Sequence, residues 1–222
     1  LEFVGDSITC GFGTAGDHPC PFEYRTENHE LTYAALAAKE LGAEEHTVCW
    51  SGWGMVRGAD GSWGANVPAV YGRTFHKPTS PAWDPAAFQP HAVVIALGTN
   101  DFGPGDPGDL YTDAYVRFLL KLRTAYPDAW LIGTTSPMLY GGQKARQKEL
   151  VQRALERRRA RVVGVSPIIG GAAVKGPADR MMARLGRHRS SINMDMLALR
   201  RAWMTSLLER DFRVPDTGLM GQ

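Results

Sequence analysis

The sequence predicts an α/β fold, in which helices cover both faces of a parallel sheet. Short apolar runs typical of buried strands alternate with longer segments of helical periodicity. The clearest of these runs, at 92–97, is continuous and β-branched, as a buried parallel strand requires. The chain of 222 residues is long enough for one such domain with a sizeable core. With 44% hydrophobic and 22% charged residues, its composition is that of a globular protein and not of a disordered one.

The predicted elements follow one another along the whole chain. Each rests on apolar spacing and on a stop signal such as glycine or proline. The predicted strands lie at 1–4, 46–50, 92–97, 130–135 and 161–165. The predicted helices lie at 31–41, 109–125, 143–159 and 194–209. Residues 55–90, rich in Gly, Pro and Trp, are expected to form a long loop, with or without a short helix.

The first predicted strand is already under way at residue 1. It runs straight into Gly5, Asp6 and Ser7, and no initiating Met precedes it. We therefore expect a fold that is incomplete at its start, and the divergent end described below predicts the same for its end.

Composition also narrows the possible functions. Three cysteines are too few for a disulfide scaffold, and their odd number leaves at least one free or paired outside the chain. The sequence has no CxxC, no HExxH and no Cys/His cluster, so we expect neither a metal site nor another cofactor. No run reaches the roughly 18 uncharged apolar residues that a membrane helix needs, so we expect no membrane partner.

Charge is divided unevenly between the two ends of the chain. Residues 1–143 carry 8 basic and 16 acidic side chains, whereas residues 144–222 carry 17 and 7. Such a split arises from a nucleic-acid tail or from two joined sequences of different origin. The basic residues do not form a patch interleaved with aromatic ones, and we expect no nucleic-acid partner.

Three polar loops carry the predicted chemistry. Ser7 follows the first strand, 51–54 follow the second, and 98–101 follow the third. If the strand order is 2-1-3-4-5, these loops are neighbours at the carboxyl edge of the sheet, where open parallel sheets bind ligands. They collect one hydroxyl, one turn of small residues and one carboxamide. These are the parts of a nucleophile that faces an oxyanion hole.

Two of these loops resemble conserved blocks of a known hydrolase superfamily. GDSITCGFG at 5–13 resembles the first block of the GDSL/SGNH hydrolases, and GTND at 98–101 resembles their third. Together with WSGWG at 50–54, they are most similar to carbohydrate esterase family 2, deacetylases of plant and bacterial polysaccharides. The resemblance covers about 1–163 and implies an SGNH hydrolase domain there. It implies a flavodoxin-like, three-layer α/β/α fold with a five-stranded parallel sheet.

The resemblance also implies an activity. The chain would be a serine esterase, such as an acetyl xylan esterase, that removes acetyl groups from a polysaccharide or oligosaccharide. Its partner would be the acetylated carbohydrate, and the oligomeric state stays open. The resemblance suggests a secreted bacterial protein, although the sequence shows no signal-peptide pattern.

By this resemblance Ser7 is the nucleophile. The Ser7 N–H, a glycine N–H from the second block and the Asn100 side-chain amide would hold the oxyanion. Gly54 is favoured as the glycine, and Gly52 remains open.

Three aromatic side chains are candidates for substrate binding. Trp53, Trp63 and Tyr71 have rings that stack on sugars, although such residues more often pack into the core.

The general base does not follow the family pattern. The family supplies it from a late DxxH block, and His188 is the only histidine after residue 101. Leu185 stands where the block has Asp, and the arginines on either side lower a histidine pKa. His188 is therefore a candidate base, against the alternative of a solvated loop residue. A catalytically impaired, carbohydrate-binding remnant stays open as a second function.

From about residue 165 the chain departs from the esterases. We expect 164–222 to be a divergent, helical segment packed on the same domain. The stretch 165–186 resembles a motif of the 2-phospho-lactate transferases. Its Gly-rich loop and Lys175 leave open a chimera with a phosphate-binding segment, against a plain turn before a helix.

Overall fold

The computed structural model describes residues 1–17, 22–64 and 66–157, and the backbone of 162–166. The strands are Glu2–Gly5 (β1), His46–Cys49 (β2), Ala92–Ala96 (β3), Trp130–Thr134 (β4) and Val162–Ser166 (β5). The helices are Ser7–Cys10 (α1), Tyr33–Leu41 (α2), Val67–Val70 (α3), Thr99–Phe102 (α4), Asp109–Ala125 (α5) and Gly141–Glu156 (α6). Short 3₁₀ helices occur at Tyr24–Thr26, His29–Leu31 and Pro85–Ala87.

The five strands form one parallel sheet in the order β2-β1-β3-β4-β5. This confirms the predicted fold class and strand order. β1 pairs with β2 on one side and with β3 on the other, so the direction of winding reverses beside β1. In open α/β sheets the crevice for ligands lies at such a switch point, beyond the carboxyl ends of the strands.

Successive residues of a strand point to opposite faces of the sheet. Apolar side chains emerge on both faces here, and helices cover both. One face meets α2, and its buried strand residues are Phe3, Ala92, Val94 and Ile132. The other face meets α5 and α6, and its buried strand residues are Val4, Val93, Ile95 and Leu131. The predicted three layers are therefore present.

The long helices lie close to their predicted bounds. α5 has the predicted bounds, and α6 begins and ends two to three residues earlier than its pattern suggests. α2 begins after Thr32, whose side chain accepts the Ala35 N–H at 3.3 Å as an N-cap. It ends at Gly42, which takes the left-handed conformation at φ +59° that glycine adopts without strain.

Short helices are where structure and sequence pattern differ. The loop 55–90 contains the short helix α3, which the sequence left open, whereas the sharp turns after β1 and β3 contain α1 and α4, which no pattern predicted. Each of these helices has four residues, too few to show a helical period. The predicted helix 194–209, the segment 164–222 beyond Ser166, the transferase-like stretch with Lys175, and His188 lie outside the described residues. Within the part of the chain that the structure describes, no helix is long and apolar enough to cross a membrane.

Candidate active site

The three predicted loops start from adjacent strand ends. Gly5, the last residue of β1, is in register with Cys49 at the end of β2 and with Ala96 at the end of β3. The next few residues of each strand therefore leave the same edge of the sheet. The structure brings the Ser7 turn, the 50–54 loop and the 98–101 turn to this edge, as the sequence predicts.

Ser7 is the first residue of α1, directly after the β1 turn. Asp6 caps this helix, because its Oδ1 accepts the Ile8 N–H at 3.0 Å. Gly5 lets the helix fold back over the strand, since a Cβ there would lie 1.9 Å from Thr9 Oγ1. The Ser7 side chain is half-buried and makes no hydrogen bond with any described residue. Its N–H, at the first position of a helix, has no intrahelical partner.

Asn100 lies on α4, directly after β3. Its side-chain Nδ2 donates a hydrogen bond of 2.9 Å to the Trp53 carbonyl, so the third block is fastened to the second. An amide nitrogen carries two hydrogens, and the other one is left for a ligand. The residue is 8% exposed, and the hydrogen bond to Trp53 fixes the orientation of its amide.

Asp101 holds the second block in place. Its buried carboxylate accepts the backbone N–H groups of Met55 at 2.8 Å, Val56 at 2.8 Å and Arg57 at 3.2 Å. In return, the Arg57 guanidinium donates to the Asp101 carbonyl at 2.8 and 2.6 Å. Sequence reasoning missed this positioning pair, and its one available signal was an acid immediately after Asn100.

The two glycines of the second block differ in their hydrogen bonds. The Gly54 N–H donates to the Arg57 carbonyl at 3.0 Å, and a Cβ at Gly54 would lie 2.2 Å from Asp101 Oδ2. Gly52 has a φ of +80°, and its N–H makes no hydrogen bond with the residues that the structure describes. The loop therefore uses Gly54 to close a turn and leaves the Gly52 N–H available.

Burial changes the acidity of the carboxyl groups next to the site. Asp6 is fully buried, and this burial raises its pKa to about 7, against the opposing effect of the Ile8 N–H. Its Oδ2 has no hydrogen-bond partner among the described residues. Burial also raises the pKa of Asp101, and the three backbone N–H groups oppose that rise.

No histidine of the described residues is bonded to Ser7. Both ring nitrogens of His29 are engaged, with the Thr9 carbonyl at 3.0 Å and with Glu45 at 2.6 Å. His46 is paired with Glu2 at 3.0 Å. The role of His188 as the base stays a prediction.

The three aromatic candidates have different surroundings. Tyr71 is 4% exposed, and its hydroxyl donates to the buried Glu2 carboxylate, so it packs in the core, the alternative that the sequence left open. Trp53 is half-buried, with its ring centroid 5.6 Å from that of Trp50. Trp63 is 60% exposed, which leaves its ring accessible to a ligand.

A disulfide joins Cys10 to Cys49, with their Cα atoms 5.5 Å apart. Cys10 ends the helix that begins with Ser7, and Cys49 ends the strand before the second block. The bond therefore ties two of the three loops together at the edge of the sheet. The sequence indicated no pairing. Within the described ranges, no three His, Cys, Asp or Glu side chains are grouped closely enough to hold a metal ion.

A parallel sheet of this order, with Ser7 and Asn100 in the turns after its first and third strands, defines the class of the SGNH-type α/β proteins. The chain belongs to the GDSL-like lipase/acylhydrolase family, whose model matches residues 3–188.

Relatives and solved structures agree with this membership. The chain is 37% identical over 147 residues to an acetylxylan esterase / glucomannan deacetylase from Cellvibrio japonicus, covering 64% of this chain and 40% of that protein. It is 36% identical over 143 residues to the cellulase/esterase CelE from Acetivibrio thermocellus, covering 64% and 17%. The chain thus spans less than half the length of these relatives.

Two solved structures are similar over most of the chain. One is a family two carbohydrate esterase from Clostridium thermocellum in complex with cellohexaose, with a TM-score of 0.74 and 28% identity, covering 94% of this chain and 63% of that one. The other is a carbohydrate esterase family 2 enzyme from Myceliophthora fergusii with a carbohydrate binding domain. Its TM-score is 0.71 at 30% identity, covering 93% and 65%.

Proposed function

We propose that the chain is a serine esterase that removes acetyl groups from a polysaccharide or oligosaccharide. One observation carries the proposal: the hydrogen bond from Asn100 to the Trp53 carbonyl joins the second and third blocks at the edge where Ser7 begins α1. The printed names of the relatives, acetylxylan esterase and glucomannan deacetylase, support the same chemistry and the same substrate class. The finer assignment is to carbohydrate esterase family 2.

In the proposed reaction, Ser7 Oγ attacks the acetyl carbonyl carbon while its proton passes to a general base. The oxyanion is held by the Ser7 N–H, a glycine N–H and the second Asn100 amide hydrogen. The base then returns the proton to the departing sugar hydroxyl, which leaves an acetylated Ser7. Water attacks this acyl-enzyme, loses a proton to the base, and releases acetate.

The glycine donor in this proposal is Gly52. Its N–H has no partner among the described residues, whereas the Gly54 N–H is already bound to the Arg57 carbonyl. Loss of one oxyanion donor typically costs about 3–4 kcal/mol of transition-state stabilisation.

We assign the base to His188. It is the only histidine after residue 101, and the family model matches the chain up to this residue. Because Leu185 replaces the aspartate of the DxxH block, a carboxylate from that position does not orient the imidazole.

The test compares hydrolysis of p-nitrophenyl acetate and of acetylated xylo-oligosaccharides by the wild type and by Ser7→Ala. We expect Ser7→Ala to lose at least about 1000-fold in kcat, as nucleophile variants do. Equal rates for the two chains would remove the proposal. His188→Ala is compared with His91→Ala, an exposed histidine whose side chain makes no hydrogen bond or ion pair with the described residues. Oligosaccharide binding without any acetate release would instead establish the carbohydrate-binding remnant.

A further inference from the structure

A cavity outside the candidate active site lies beside α5. It has a volume of about 400 Å³ and lies between α5 and the loop that follows the second block. This size is in the range of small-molecule sites, roughly 300–1,000 Å³. Its lining includes Met55 and Phe118, which are buried, and Trp63, Arg117 and Lys121, which are exposed. Neither Ser7 nor Asn100 lines it, so it is distinct from the predicted oxyanion site.

The cavity carries positive charge that no carboxylate of the described residues neutralises. Arg117 makes no ion pair there, and Lys121 Nζ lies 3.4 Å from the Pro68 carbonyl and 5.5 Å from the centroid of the Tyr71 ring, neither of which carries a negative charge. Burial, together with the charge of Arg73, lowers the pKa of Lys121. That direction is expected for a cation that faces another cation and no acid.

The acids of α5 do not compensate these cations, because they are paired on the side of α6. Asp109 lies 3.0 Å from Arg153, and Asp113 lies 2.8 Å from Arg157. The side of α5 that lines the cavity is left with Arg117 and Lys121. This excess stands out in residues 1–143, where acids outnumber bases two to one.

Trp63 adds a flat apolar surface to the same cavity. Its side chain is 60% exposed, and the Arg57 guanidinium lies 5.5 Å from the ring centroid. Arg57 is itself fixed by hydrogen bonds to the carbonyls of Asp101 and Gly105. The indole is therefore held beside a rigid loop, as a sugar-stacking ring requires.

We propose that this cavity is a subsite for a carboxylate-bearing sugar, a hexuronate unit of the polysaccharide substrate. The pyranose ring stacks on Trp63, and the carboxylate is bound by Arg117 and Lys121. The cavity is connected to the candidate active site through Met55 and Val56, which line it. Asp101 binds the backbone N–H groups of both residues and directly follows Asn100 in the chain. The identity of the ligand as part of a polysaccharide rests on the proposed function.

Calorimetric titration of the Ser7→Ala chain tests the proposal, because turnover is then absent from the measurement. Two unacetylated xylo-oligosaccharides of equal length are compared, one with a glucuronate substituent and one without. We expect the acidic ligand to bind about 2- to 30-fold more tightly at low salt, since each of the two solvent-exposed charge pairs contributes about 1.4- to 5-fold. The preference should shrink in 1 M salt, where the Debye length falls to about 3 Å.

Variants assign the preference to these residues. Arg117→Gln combined with Lys121→Gln should abolish it, whereas the charge-conserving pair Arg117→Lys with Lys121→Arg should keep it. Lys148→Gln, the same charge change at an exposed position on α6, should also keep it. Equal affinity for the two ligands, or a preference that survives in the Gln pair, would overturn the proposal. Failure of the esterase assay leaves this binding result unchanged, so the two proposals fail separately.

Discussion

The disulfide between Cys10 and Cys49 should contribute both to the stability of the fold, through chain entropy, and to the geometry of the candidate site, and removing it measures the two effects. The perturbation is Cys10→Ser with Cys49→Ser, made in a Cys20→Ser background so that no thiol remains to form other bonds. The bond closes a loop across a sequence separation of 39 residues. The chain-entropy relation gives about 13 cal/mol/K for such a loop, or about 4 kcal/mol at 25 °C. This is a large fraction of a typical domain stability of about 5–15 kcal/mol.

Urea unfolding followed by circular dichroism measures this loss. With a typical slope of about 2 kcal/mol per molar urea, the midpoint should fall by roughly 2 M. Dithiothreitol added to the Cys20→Ser parent should produce the same shift, and it should have no effect on the variant without the bond. Equal midpoints for the parent and the double variant would refute the reasoning, since the bond would then constrain nothing.

The same variant should also lose activity in the folded state. Cys10 and Cys49 join the helix of Ser7 to the strand that precedes Gly52. A looser connection between them displaces Ser7, the proposed nucleophile, from the proposed oxyanion donors, and small displacements are costly for catalysis. We expect kcat for p-nitrophenyl acetate to fall more than KM changes, measured in buffer without denaturant. An unchanged kcat would show that the remaining contacts hold the site without the disulfide.

Three further substitutions have expected outcomes. Asp101→Asn leaves at least one of the three loop N–H groups without an acceptor. It should lower the free energy of unfolding in urea by about 2–3 kcal/mol and should also lower kcat. An unaltered kcat would contradict the positioning role of Asp101. Gly54→Ala displaces the same carboxylate. In a double-mutant cycle, Gly54→Ala combined with Asp101→Asn should therefore lower the free energy of unfolding little more than either change alone, and full additivity would exclude the shared contact. Asp6→Asn removes a carboxyl group whose pKa in the folded state, about 7, lies above its value in the unfolded chain. Between about pH 4 and pH 7 the folded wild type therefore keeps a proton on Asp6 that the unfolded chain has released. The contribution of Asp6 to stability is therefore present at low pH and is lost as the pH rises through 7. The wild type should lose about 3 kcal/mol more than Asp6→Asn between pH 5 and pH 8, and parallel pH profiles of unfolding would contradict this.

The elements that the sequence predicted well are those whose burial is periodic. β3 is buried on both faces between neighbouring strands, so it must be apolar throughout, and its run identifies it. α5 packs one stripe against the sheet, and its spacing gives both of its ends. α1 and α4 are set instead by the turns that precede them, including a cap at Asp6 and a positive φ at Gly98, and no period marks such turns.

The candidate site was predictable only in part. Ser7 and Asn100 follow from blocks that keep their order along the chain, and the structure brings their turns to one edge. Asp101 was missed because its partners are backbone N–H groups, which every residue except proline carries and which no sequence pattern distinguishes. The burial of Tyr71 was not predictable because a long-range partner decides it. This partner is the Glu2 carboxylate inside the sheet, which also accepts the Tyr126 hydroxyl at 2.9 Å.

The two glycines of the second block show why composition alone leaves the oxyanion donor open. Both are required to be glycine, but for different physical reasons. Gly54 has no room for a Cβ beside the Asp101 carboxylate, whereas Gly52 has open space and a positive φ. The Gly54 N–H lies inside the loop and is bonded to the Arg57 carbonyl. Gly52 turns the chain, and its N–H makes no hydrogen bond with the described residues. Asp101 fixes the loop through the N–H groups of Met55, Val56 and Arg57, and this leaves the Gly52 N–H available for the oxyanion role that we propose.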